Sequence, residues 1–201
     1  MHWELPDDGR VELWPDFVPE PEREGLFGAL SASIPFEAKQ IRIFGRSVDQ
    51  PRLTAWIGDA NAVYTYSGVR NVPSPWLPLL AAMRDRVAEL AGVRFNSVLC
   101  NLYRTGADSM GMHADREPEL GDNPIIASLS LGAVRRFQLR HRKLRGVGLD
   151  LDLPDGSLLV MRGAVQHHYR HGVPKQPKIV EPRINLTFRY VAPASSQSSS
   201  S

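Results

Sequence analysis

His113-Ala114-Asp115 sets an imidazole and a carboxylate two positions apart. In an extended segment both side chains leave the backbone on one face and can meet a single ion. A His-x-Asp pair arises easily by chance in a chain with six histidines, so a third ligand decides whether it is a site. His167, His168 and His171 follow the strand-like segment SLLVMRG more than fifty residues downstream, and one ion needs only one of them. Two histidines and one carboxylate leave open positions on iron(II) for a co-substrate and oxygen, whereas a closed structural site fills those positions with protein ligands. Spacing alone does not choose among the three histidines.

A second constellation lies near the C-terminus, in Arg183-Ile184-Asn185-Leu186-Thr187-Phe188-Arg189-Tyr190. Alternation puts Arg183, Asn185, Thr187 and Arg189 on one face of a strand and Ile184, Leu186, Phe188 and Tyr190 on the other. The apolar face anchors the strand. Two guanidinium groups then project towards one space, where each can grip a carboxylate through paired hydrogen bonds. A small dicarboxylate such as 2-oxoglutarate suits that arrangement. Asn101 and Tyr103, two apart on an earlier strand, offer an amide and a phenol to the same ligand. The basic run VRRFQLRHRKLRG, residues 134 to 146, reads either as a solvated hairpin or as a phosphate-binding surface.

The elements that must position these groups are legible as pattern. Residues 19 to 35 carry Glu20, Glu22 and Glu24 followed by Leu26, Leu30 and Ile34 at helical spacing. A second helix is predicted at about 75 to 91, with Ser74 as N-cap, Pro75 at the first position, Gly92 as the stop and Leu80, Met83, Val87 and Leu90 as the buried stripe. Residues 40 to 70 suggest short strands broken by Gly45, Pro51, Gly58 and Gly68. From about 95 onward FNSVLCNLY, IIASLSLG, VRRFQLRH, GLDLDL, SLLVMRG and RINLTFRYV form a procession of strands separated by turns. The expected class is α+β, predominantly β, with a sandwich or jelly roll behind two helices.

Composition narrows the classes further. At 201 residues, with 42% hydrophobic and 23% charged residues, the chain fits one folded domain rather than a disordered or fibrous protein. The lone Cys100 excludes an intramolecular disulfide framework and a cysteine zinc cluster, and it reads as a small buried residue. No apolar run reaches membrane-spanning length, and the start MHWELPDDGRVELW lacks the order of a signal peptide, so a cytoplasmic or nucleoid-associated protein is expected. A net charge of +2 does not by itself announce a nucleic-acid binder.

Taken in order, Asn101-x-Tyr103, His113-x-Asp115, His171 and Arg183-x-Asn185-x-x-x-Arg189 resemble the AlkB family of iron(II)- and 2-oxoglutarate-dependent nucleic-acid demethylases, over residues 15 to 191. The branch that repairs alkylated bases in double-stranded DNA is the most similar. The resemblance implies a double-stranded β-helix with a nucleic-acid-binding hairpin region. It implies metal ligation by His113, Asp115 and His171, the last marked by Gly172-Val173-Pro174. It also implies oxoglutarate contacts from Asn101, Tyr103, Arg183, Asn185 and Arg189, with Arg183 on the distal carboxylate and Arg189 on the one beside the keto group.

Ile43-Phe44-Gly45 resembles the family's hairpin wedge, and residues 64 to 68 its pocket wall. An inserted Phe44 would fill the gap left by a flipped nucleotide. Tyr66 would stack on that base against His113, while Tyr64 and Glu117 would contact its edge. A carboxylate there favours cationic bases such as 1-methyladenine and 3-methylcytosine. Arg52 and residues 135 to 145 would hold phosphates. Arg170 stands where relatives commonly carry an aromatic residue, a departure that bears on local packing and substrate preference.

The resulting expectation is an oxidative demethylase consuming 2-oxoglutarate and oxygen and releasing succinate, carbon dioxide and formaldehyde. Its partners would be alkylated DNA, duplex or single-stranded, or RNA, bound by a monomer without a membrane. Residues 1–191 would form one dioxygenase domain: helices and substrate-handling hairpins over about 15–95, jelly-roll core over about 96–191. A disordered Ser-rich tail would follow over 192–201. The rival readings are the same chemistry on RNA, protein or a small molecule, and a metal-binding jelly-roll module without turnover.

Overall fold

The computed structural model describes residues 1–43, 46–66 and 69–192, with side chains described outside 41–47 and 64–71. The chain begins with a hairpin of β1 (His2–Leu5) and β2 (Gly9–Trp14), then α1 (Glu20–Ser33), β3 (Glu37–Ile43), β4 (Arg46–Gly58), β5 (Tyr64–Tyr66) and β6 (Val69–Asn71). After α2 (Pro78–Ala91) come β7 (Ser97–Tyr103), β8 (Met110–His113), β9 (Ile126–Gly132), β10 (Arg135–His141), β11 (Gly148–Leu153) and β12 (Leu158–Gly163). The one-turn α3 (Val165–His168), β13 (Tyr169–Val173) and β14 (Arg183–Arg189) complete it.

The strands form an eight-stranded sheet in the order β1-β2-β12-β9-β14-β7-β4-β3 and a four-stranded sheet in the order β11-β10-β13-β8, with β5-β6 a separate pair. Both larger sheets are antiparallel. The fold is thus mostly β with few helices, as expected of a jelly roll.

Period-two alternation explains how the large sheet is buried on both faces. Val98 and Cys100 of β7, Ala127, Leu129 and Leu131 of β9, Leu158 and Val160 of β12, and Ile184, Leu186 and Phe188 of β14 share one core with Leu30, Leu80, Met83 and Val87 of the helices. The opposite face meets the small sheet. At one end this contact is apolar, with Val11, Leu13, Ile126, Leu159 and Met161 against Phe137, Leu139 and Leu153. At the other end the same face turns polar: Asn101, Ser128, Ser130, Arg183, Asn185, Thr187 and Arg189 are all buried. Cys100 is buried and free, and burial pushes its thiol pKa up.

Several sequence expectations need correction. The second helix starts at Pro78, not Pro75, because Leu77 before it is held extended at φ −78°, ψ 141°. Ser74 caps nothing; it bridges Ile57 instead. Gly92 does stop the helix, in the left-handed conformation at φ 65°. Its buried stripe ends on Ala91, with Leu90 only partly buried. Pro51 does not break its strand, since β4 runs through it and the β3–β4 register shifts opposite, between Ala38 and Gln40. The hairpin before residue 15 was missed, although Asp7-Asp8-Gly9 between alternating segments is its signal: both aspartates have positive φ, 57° and 56°.

Gly106 sits where the loop after β7 passes the segment after β13, and a Cβ there would lie 1.8 Å from the Gln176 carbonyl oxygen. Gly25, in α1, has nothing within 4 Å of the same position. Gly106→Ala is therefore expected to lower stability by about 1–3 kcal/mol or more, and Gly25→Ala to raise it by roughly 0.5–1 kcal/mol. Thermal melts of the two variants against the parent check both signs.

Candidate active site

The small sheet builds the metal set. β13 pairs antiparallel with β8 so that His171 lies directly opposite His113, with ring centroids 4.3 Å apart. Asp115 follows just beyond the end of β8, and its Oδ1 lies 3.7 Å from His113 Nε2. Ligand atoms of His113, Asp115 and His171 all lie within 4.8 Å of one another. The expected trio is therefore brought together by two neighbouring strands.

Local contacts set the state of each ligand. His113 Nδ1 is 2.9 Å from the Gly111 carbonyl, so as the protonated donor it leaves the Nε2 lone pair free towards Asp115. Burial disfavours charge on Asp115, but the Arg189 guanidinium, then His113 and His171, outweigh it and hold the carboxyl at about 2. Arg189 Nε and Nη2 both donate to Oδ2, at 3.3 and 3.0 Å, which leaves Oδ1 as the oxygen facing the histidines. His171 is driven down to about 3, chiefly by burial and next by His113, so its imidazole is neutral. Its buried Nδ1 has no hydrogen-bond partner. Two imidazoles and an ionised carboxylate are the donor set that iron(II) takes.

The other two histidines are engaged elsewhere. His167 Nε2 bonds the Asp122 carbonyl. His168 belongs to a second cluster with Asp7 and His141. There His141 Nδ1 accepts from the Lys143 and Leu144 amides at 3.1 and 2.7 Å, so its Nε2 carries the ring proton and donates to Asp7 at 2.6 Å. With both nitrogens of His141 committed, this cluster ties the first hairpin to the β10–β11 turn rather than offering a metal site.

The large sheet supplies the clamp. Tyr103, Arg183, Asn185, Thr187 and Arg189 line one narrow cleft with His113 and His171. Arg183 is 1% exposed, opposite Tyr103 in the β14–β7 register, and donates Nη2 to Ser130 Oγ at 2.9 Å. Among the described residues its buried Nε and Nη1 have no acceptor. Burial pulls its pKa down to about 10. A guanidinium in that state can take a carboxylate, so the cleft is chemically suited to one end of a dicarboxylate at Arg183. Arg189 sits on the same strand face but is tied to Asp115, so it links clamp and metal set. Asn185 is held by Ser128 Oγ at 2.7 Å and Thr187 Oγ1 at 3.0 Å. Ser128 and Ser130 were missed as site residues, because they reach the clamp only through the pairing of β9 with β14; strand alternation already places Thr187 on the face of Arg183 and Asn185.

Other expected contacts fall differently. Asn101 lies beneath the cleft, accepting from Arg52 Nε at 2.8 Å. Arg52 is only 8% exposed and also reaches the Ser109 carbonyl, so it braces the clamp from below; a direct phosphate contact is corrected, because a phosphate cannot approach a buried guanidinium. Arg135 is likewise buried, bonded to carbonyls of Thr105, Asp108 and Pro174. Arg136 and Arg140 pair with Asp152 and Asp150. Glu117 is half-buried and lines, with Asp115, a polar cavity of about 230 Å³, and burial, then the Asp115 charge, raises its pKa. Phe44 lies outside the described residues. Tyr64 and Tyr66 are on β5, with their side chains outside the described set.

One metal ion per chain is expected. Dialysis followed by metal analysis should show it absent from His113→Ala and kept in His168→Ala.

The comparisons with known proteins agree with this geometry. The family model described as the 2OG-Fe(II) oxygenase superfamily matches residues 10–189. Alpha-ketoglutarate-dependent dioxygenase alkB homolog 3 of Homo sapiens is 42% identical over 195 residues, covering 92% of this chain and 67% of that protein. DNA oxidative demethylase ALKBH2 of Mus musculus is 40% identical over 181 residues, covering 87% of this chain and 72% of that one. Among solved structures, OsALKBH1 superposes with a TM-score of 0.65 at 17% identity, covering 89% of this chain and 97% of that chain, a likeness of fold alone. The metal trio, the paired arginines and the relatives point the same way: the chain belongs to the AlkB family of the 2OG-Fe(II) oxygenase superfamily.

Proposed function

We propose that the chain removes alkyl groups oxidatively from N-alkylated bases of nucleic acid, with alkylated DNA as substrate and the duplex favoured. The observation that carries the co-substrate is the buried Arg183, with two guanidinium nitrogens lacking an acceptor among the described residues, in the same cleft as His113 and His171. Two relatives, one named for DNA oxidative demethylation and one for α-ketoglutarate-dependent dioxygenation, support the substrate and the reaction.

Bound iron(II), with oxygen as oxidant and 2-oxoglutarate as the co-substrate oxidised to succinate and carbon dioxide, would supply hydroxylation of the N-methyl carbon, which is then lost as formaldehyde. His113, Asp115 and His171 would hold the metal, and Arg183 the distal carboxylate, with Tyr103 beside it. Asn185, steadied by Ser128 and Thr187, completes the polar wall. Arg189 orients Asp115 and lends positive charge to the carboxylate nearest the metal. The remaining cleft walls, Met110, Phe137, Met161 and Val173, are apolar and keep water from the reacting centre.

Exposed arginines on the outer face of the small sheet are the candidate phosphate contacts. Arg170 lies opposite Arg140 in the β10–β13 register, and the Arg142 amide bonds the His168 carbonyl, so Arg140, Arg142 and Arg170 share that face. Arg140 is neutralised by Asp150. Arg142 is exposed, and burial, Arg170 and Arg116 all depress its pKa; no carboxylate pairs with these three among the described residues. They suit phosphates, and Arg170, the family departure, adds one such contact. Tyr66 and Glu117 are retained as base contacts and Phe44 as the wedge.

Mass spectrometry of methylated single- and double-stranded oligonucleotides tests the reading: loss of one methyl mass that requires 2-oxoglutarate is expected, and its absence on every lesion would overturn it. Arg183→Met should raise KM for 2-oxoglutarate by at least about thirtyfold, the equivalent of about 2 kcal/mol. Phe44→Ala should lower activity on duplex more than on single strands; an unchanged ratio removes the duplex preference. Changing Arg116, Arg142 and Arg170 together to Ala should reduce the slope of log binding constant against log salt on duplex by roughly 0.9 for each phosphate that is no longer neutralised.

A further inference from the structure

The β8–β13 ladder fixes His113 against His171, but Asp115 lies past the end of β8, where no strand pairs with it. It is nonetheless only 5% exposed. A buried backbone N–H without an acceptor is strongly disfavoured. The acceptor at Asp115 is a side chain: Gln166 Oε1, at 3.0 Å from the Asp115 amide nitrogen.

Gln166 is itself 1% exposed. It sits on α3, the single turn that leads into β13 and His171. Its Nε2 lies 3.6 Å from Sδ of Met161, which lines the co-substrate cleft. One amide therefore spans from the cleft wall to the backbone of a metal ligand, on the segment that delivers another.

We infer that Gln166 is a positioning residue that holds Asp115 in register with His113 and His171, so that the three ligand atoms converge before metal arrives. The division of labour is physical. Arg189 orients the Asp115 carboxylate, whereas Gln166 fixes its backbone. Glutamine suits the position because its amide oxygen accepts without placing a second negative charge beside a buried carboxylate. Its length matters too, since asparagine is one methylene shorter. This inference rests on the metal-centre reading above.

The test is a titration of the metal-free full chain with Co(II), read by calorimetry and by the cobalt absorption spectrum, without substrate or turnover. The parent should bind one ion and Asp115→Ala should not; failure at this step overturns the metal centre, and the inference with it. Gln166→Met keeps length and volume but removes the acceptor, and should weaken Co(II) binding about 10–100-fold. Gln166→Asn keeps an uncharged acceptor but is one methylene too short to reach the Asp115 amide, and should weaken binding as well. Parent-like affinity in Gln166→Met or in Gln166→Asn would overturn the positioning role while leaving the centre intact. Hydrogen exchange at the Asp115 amide of the metal-free parent is independent of any variant. Slow exchange is expected, and exchange as fast as at an open loop amide would overturn the role.

Discussion

Two guanidinium groups are buried on one face of the central strand β14, and the rest of the site follows from how each is satisfied. A charge removed from water is strongly disfavoured unless an opposite charge and hydrogen bonds meet it. Arg189 finds Asp115 within the protein, in an ion pair that holds a metal ligand ionised. Among the described residues Arg183 meets Ser130 and the Tyr103 ring, and its Nε and Nη1 keep no acceptor. Arg189 is thus satisfied within the protein, while Arg183 is left for the proposed carboxylate ligand.

The architecture makes that burial tolerable. β14 lies between β9 and β7, so its backbone is paired on both sides and its apolar face is sealed by the helices. Held so firmly, the strand presents Arg183, Asn185, Thr187 and Arg189 at fixed spacing to the small sheet, which delivers His113 and His171 from paired strands. The metal set and the clamp belong to different sheets, and the Arg189–Asp115 ion pair is the seam between them. Another buried arginine, Arg135, gathers the loop carbonyls of Thr105, Asp108 and Pro174.

Much of this was legible in residue pattern. The sides of β14 follow alternation, and the six strands expected from 95 onward lie within a residue or two of the observed ones, whereas β8 and β13, which carry His113 and His171, were not among them. The first hairpin was not read, because its short strands gain their burial from pairing with β12, about 150 residues away. Arg52 was misread for a related reason. Its sequence neighbours give no sign that Asn101 and Ser109 enclose it. Nor does the basic run from 134 to 146 reveal that strand pairing buries Arg135, neutralises Arg136 and Arg140, and leaves Arg142 exposed.

The sequence by itself determined which residue types were available for chemistry: a His-x-Asp pair, a choice of later histidines and two arginines in phase on one strand. Those are local properties, set by side-chain identity and by the period of an extended backbone. Tertiary structure alone decided that His171 faces His113 while His167 and His168 turn to other partners, because strand register is a long-range property. It also decided that the buried amide of Asp115 is satisfied by Gln166, a hydrogen bond with no signature in the spacing of either segment.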